Sequence, residues 1–78
     1  MSRELDLVVL KRDYPSFGLV AGDVGVVVHV YALGKAFEVE FLDGEGRTIA
    51  LLTLDPEAIR PLQRDEVFHV RKWQPMAA

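Results

Sequence analysis

Apolar residues recur with period two along most of this chain, in short runs rich in β-branched side chains. Leu5-Asp6-Leu7-Val8-Val9-Leu10 predicts a first strand. Residues 11–20 contain Pro15 and Gly18 and read as a long loop. The run Gly22-Asp23-Val24-Gly25-Val26-Val27-Val28-His29-Val30 places a glycine-flanked acidic turn before an unbroken β-branched stretch. Such side chains lose χ1 freedom in a helix and suit a strand, so residues 24–31 are the second. Leu33-Gly34 is a turn, and Lys35-Ala36-Phe37-Glu38-Val39-Glu40-Phe41 alternates as a strand buried on one face. Asp43-Gly44-Glu45-Gly46 is a hairpin loop before a fourth strand over residues 48–54. Asp55-Pro56-Glu57-Ala58-Ile59 reads as one helical turn, with Asp55 at the N-cap and proline at the first helical position. Arg60-Pro61-Leu62 is a short fifth strand at a sheet edge, where proline is tolerated. Residues 67–73 have strand-forming composition and predict a sixth; Pro75 is expected to end it and Met76-Ala77-Ala78 to fray.

These elements predict an all-β fold, a small SH3-like barrel of five strands with a C-terminal extra strand. It is one domain over residues 1–78, with 63–78 as a C-terminal extension. The turns set Val30 opposite Phe37, Val28 opposite Val39 and Val26 opposite Phe41. The next hairpin sets Phe41 opposite Thr48, Val39 opposite Ala50 and Phe37 opposite Leu52. That face is expected to form the interior, and alternation sends Val27, His29, Tyr31, Glu38, Glu40, Ile49 and Leu51 outward. A bulge in the second hairpin would exchange the two sets in the fourth strand. Val27, Ile49 and Leu51 are then surplus apolar surface, each forfeiting ~1.5–3 kcal/mol relative to full burial. The C-terminal segment, through Phe68, Val70 or Trp73, is one expected cover; a second copy or another protein is the other.

Composition narrows the function. At 78 residues the chain buries about 60% of its unfolded surface, so a covered second face matters to its stability. It has no cysteine, which removes disulfides and thiolate metal sites. The net charge of −3 and the dispersal of nine basic residues weigh against a phosphate-backbone partner. No apolar run reaches the ~20 residues of a membrane span, and a cytoplasmic location is expected.

No catalytic constellation is evident. Ser2 and Ser16 have no neighbouring histidine, and Gly22-Asp23-Val24-Gly25 has no following helix or Lys-Ser/Thr pair for a phosphate loop. His29 faces Glu38 as an ordinary cross-strand pair, and His69 has no motif partner, so neither a metal nor any other cofactor is expected. Glu38 and Glu40 read as a solvated edge-protecting pair. Tyr14 and Phe17 in the first loop, with Tyr31 and Trp73, suit an aromatic docking surface for an extended peptide. The alternative is that Phe17 and Leu19 plug one end of the barrel.

The combination of Leu5-Asp6-Leu7-Val8-Val9-Leu10, Asp13-Tyr14-Pro15 to Gly22-Asp23-Val24-Gly25, Phe37-Glu38-Val39-Glu40-Phe41, Gly46-Arg47-Thr48, Leu51-Leu52-Thr53-Leu54 and Ile59-Arg60-Pro61 resembles a family of short uncharacterised bacterial proteins, a domain of unknown function. The resemblance runs from Leu5 to about Val70. It implies an SH3-like barrel without established activity, and an antitoxin, immunity or binding-partner role beside a toxin-like neighbour. A partial likeness to the KOW motif, carried by Gly-Asp-x-Gly before a valine-rich strand, implies nucleic-acid binding. Glu38, Glu40, Asp43 and Glu45 stand where that motif carries basic loops. The expected function is therefore a non-enzymatic protein-interaction module. Its partner surface is Tyr14, Phe17, Val27, His29, Tyr31, Ile49, Leu51 and Trp73.

Overall fold

The computed structural model describes residues 2–74 and forms one antiparallel sheet of five strands. They are β1 (Leu7–Leu10), β2 (Val24–Tyr31), β3 (Ala36–Leu42), β4 (Thr48–Leu54) and β5 (Ile59–Pro61), in spatial order β4-β3-β2-β1-β5. Two 3₁₀ turns, Pro15–Phe17 and Pro56–Ala58, punctuate the loops. The second matches the expected helical turn, although the Asp55 side chain makes no cap hydrogen bond.

The sheet is open, which overturns the SH3-like barrel. Among the described residues β4 pairs only with β3 and β5 only with β1. β5 has three residues and includes Pro61, which has no N–H to offer a second neighbour. The interior is closed instead by side chains. Leu19 from the first loop and Ala58 from the second 3₁₀ turn are both buried in the core with Phe41, Val39 and Leu10. The KOW likeness presupposed a barrel and loses its geometric basis with it. The expected sixth strand is also absent: residues 62–74 contain no strand, and Val67 and Val70 are each 89% exposed. Residues 75–78, where the chain was expected to fray, lie outside the described residues.

A bulge in β2 corrects the expected faces. The ladder runs Tyr31↔Ala36, Val30↔Phe37 and His29↔Glu38 as the turn demands, then slips so that Val27 opposes Val39 and Val26 opposes Glu40. The extra residue is Val28, which is exposed. Gly25 and Val27 thus point into the core before the bulge and Val30 packs on it afterwards, while Val26 leaves the interior. Val27 was expected outside; it is fully buried. In β4 the partners sit two residues from the expected register, with Phe41↔Ala50, Val39↔Leu52 and Phe37↔Leu54. A shift of two preserves the faces, so Ala50, Leu52 and Leu54 are buried as alternation requires.

Gly25 makes this packing possible. A Cβ there would stand 2.6 Å from Val39 Cγ1 and 2.7 Å from Phe41 Cε2. Gly25→Ala is therefore expected to destabilise the fold by about 1–3 kcal/mol as core atoms are forced aside. Gly44→Ala, where a Cβ meets nothing within 4 Å, is the control. Thermal denaturation checks the pair: equal melting temperatures would contradict this account of the core.

Candidate interaction surface

The open sheet presents an outer face formed by β2, β3 and β4. Alternation past the bulge sends His29 and Tyr31 to that face beside Glu38, and β4 adds Leu51 and Thr53. The polar groups there are organised. The Tyr31 hydroxyl donates to Glu38 Oε1 at 3.2 Å, and the Thr53 hydroxyl donates to the same oxygen at 2.5 Å. The Thr48 hydroxyl donates to Glu40. Partial desolvation, followed by the Glu38 hydrogen bond and charge, raises the Tyr31 phenol above its usual pKa. His29 stacks edge-on against Tyr31 at 4.5 Å between centroids and lies 3.7 Å from Glu4. Among the described residues neither Glu38 nor Glu40 has a Lys or Arg within ion-pair distance. Leu51, 52% exposed, sits directly opposite Glu40, and Tyr31 is also exposed. This face therefore offers two carboxylates without cations beside apolar surface.

The other expected site residues lie elsewhere. Tyr14 packs against the core and bridges to Leu19. Ile49 and Trp73 pack against the same core, and only Phe17 of the first-loop aromatics stays exposed. Leu19, without Phe17, closes that end. Trp73 donates its indole N–H to the Phe17 carbonyl at 2.9 Å, so the loop is fastened by the C-terminal segment. The eight expected residues thus split into an outer-face group (His29, Tyr31, Leu51), a loop-and-tail group (Tyr14, Phe17, Trp73) and two packed strand residues, Val27 in the core and Ile49 against it.

The tail, residues 62–74, is held by ion pairs that composition does not reveal. Arg60 and Glu66 form a two-bond pair at 2.8 and 2.7 Å, and the Gln63 backbone N–H also donates to Glu66. Arg71 bonds both Asp23 carboxylate oxygens and the Gly18 carbonyl. Arg60 and Val24 flank Val9 in the ladder, and Asp23 precedes Val24. Val9 itself is buried, although alternation points it away from Val8 and Leu10 of the core. Between the tail and the β3–β4 turn lies a groove of about 380 Å³ lined by Leu42, Ile49, Phe68, Trp73 and Asp43 among others. Backbone N–H groups of Arg47 and Glu45 lower the Asp43 pKa.

The boundary between sheet and tail reappears in the comparison with known families. A family model described as a domain of unknown function, DUF4926, matches residues 4–61. The chain belongs to that family. The DUF4926 match ends at Pro61, the last residue of β5, and not near Val70 as the sequence resemblance implied. The five-stranded sheet is thus the DUF4926 unit, and the strapped tail lies outside the match. No curated protein and no solved structure matches the chain. No helix among the described residues is long and apolar enough to cross a membrane, and no group of three or more potential metal-ligating side chains occurs among them.

The Arg60 hydrogen bonds, then the Gln63 backbone N–H, hold the Glu66 pKa down at about 2 from an ordinary 4.5. A carboxylate with a depressed folded pKa stabilises the fold above its ordinary value, and that contribution disappears as pH falls through the lowered one. Melting temperature followed from about pH 5 to about pH 2 should drop more steeply in the wild type than in Glu66→Gln, with the curves converging near the acid end. Parallel curves would remove this pair from the account of the tail.

Proposed function

We propose that this protein is a non-enzymatic interaction module that binds another protein through the outer face of β2, β3 and β4. One observation carries the reading: among the described residues, Glu38 and Glu40 stand without a cationic partner beside exposed Tyr31 and Leu51. Carboxylates flanked by apolar and aromatic side chains suit a partner that brings Lys or Arg together with aliphatic surface. The same carboxylates repel phosphate, which argues against a nucleic-acid backbone as the ligand. The non-enzymatic part of the reading rests on the residue inventory, with no cysteine and no serine beside a histidine. An antitoxin- or immunity-like role is one form of this reading and rests on the family resemblance alone.

Affinity purification with the full chain as bait should yield a stoichiometric protein partner. Tyr31→Ala combined with Glu40→Lys should weaken binding of that partner at least about tenfold, a loss of about 1.4 kcal/mol. Undiminished binding by a folded double variant, or recovery of nucleic acid in place of protein, would overturn the proposal.

A further inference from the structure

The two edges of the open sheet are treated very differently. β5 is short, contains Pro61 and Arg60, and runs into the tail, with the Leu62 N–H bonded back to the Leu7 carbonyl and Glu66 bonded to Arg60. Those are recognised means of blocking a sheet edge. β4 has none of them: Thr48-Ile49-Ala50-Leu51-Leu52-Thr53-Leu54 is seven residues without charge, proline or glycine. Its backbone makes no bond outside the β3 pairing among the described residues.

The direction of its free groups follows from the ladder. The Val27 carbonyl accepts from the Leu5 N–H, and the Val27 N–H donates to the Asp6 carbonyl, so Val27 spends its backbone groups on the β1 side. Alternation then turns Val26 toward β3 and its partner Glu40 toward β2. Leu51 and Thr53, opposite Glu40 and Glu38, consequently direct their N–H and C=O groups out of the free edge.

We propose that a second copy of this chain pairs with that edge, β4 against β4 in antiparallel register about a two-fold axis at Leu51. It goes beyond the interaction-module reading, because it uses the free backbone edge of β4 and not the outer face. The sequence of β4 is complementary to itself in that register. Leu51 meets Leu51, Ile49 meets Thr53 and Ala50 meets Leu52, so no charge faces a charge although each chain carries −3 overall. A directly opposed pair in this phase exchanges both backbone bonds, and the pairing covers the exposed Leu51 side chain with its symmetry mate. The tail has strand-like composition and would otherwise compete, but its ion pairs to Arg60 and Asp23 hold it at β5 and at the start of β2.

Sedimentation of the full chain from low micromolar to millimolar concentration tests the pairing. The wild type should convert from the 8.8 kDa monomer to a species of twice that mass. Leu51→Lys, which places like charges on the axis, and Thr53→Pro, which removes an edge donor, should remain monomeric with unchanged circular dichroism. A wild type that stays monomeric throughout, or a dimer that persists in both folded variants, would overturn the proposal. Should both variants unfold, exchange of the Leu51 and Thr53 amides in the wild type decides. Protection that rises with concentration supports the pairing, and concentration-independent exchange refutes it. A monomer whose β4 amides become protected only on adding a co-purified protein refutes self-pairing and leaves the interaction module standing.

Discussion

A single extra residue in the central strand governs the rest of this molecule. The bulge at Val28 lets β2 face the core with Gly25 and Val27 at one end and with Val30 at the other. A sheet of this size must curve sharply to enclose any interior, and a bulge supplies local bend and twist. The turn register holds His29 and Tyr31 on the outer face, where they join Glu38, and the slip is what turns Gly25 and Val27 inward. The bulge therefore reconciles the core face of β2 with the outward side chains that the turn sets. Gly25 completes the arrangement by leaving room for Phe41 and Val39 across the strand.

The chain divides its work between a family unit and a strap. DUF4926 spans the sheet, whose apolar residues close the interior with help from Leu19 and Ala58. The tail adds little apolar burial of its own, as the exposure of Val67 and Val70 shows. It is held mainly by hydrogen-bonded ion pairs, at Arg60–Glu66 and Arg71–Asp23, and by the Trp73 indole. Charged hydrogen bonds at two anchor points fix a segment that has no ladder to join. The consequence is that the first loop is fastened through Gly18 and Phe17.

What the sequence reveals follows local physics. β2 and β4 have the predicted bounds because their β-branched and aliphatic runs are bracketed by turn residues. The three-residue β5 was legible as an edge from Pro61. The phase of β2 was not: Val26-Val27-Val28 presents the same side chain to both faces, so alternation cannot mark where a residue is inserted. Closure into a barrel depends on whether β4 and β5 meet, which no local pattern encodes. The tail reads as a strand by propensity, but pairing partners 48 residues apart, Asp23 and Arg71, determine its path. For the candidate surface, the outward direction of His29, Tyr31 and Leu51 was readable from alternation, while the absence of cations near Glu38 and Glu40 required the fold.

The central claim is an open sheet whose β4 edge is free. Residue-resolved amide exchange on the chain diluted to monomer tests it most directly. The account predicts an alternating pattern, with Ala50 and Leu52 protected by β3 and Leu51 and Thr53 exchanging at rates close to those of an unstructured peptide. Uniform protection of all four amides at every dilution would mean that β4 has a second neighbour within the chain, and would contradict the account.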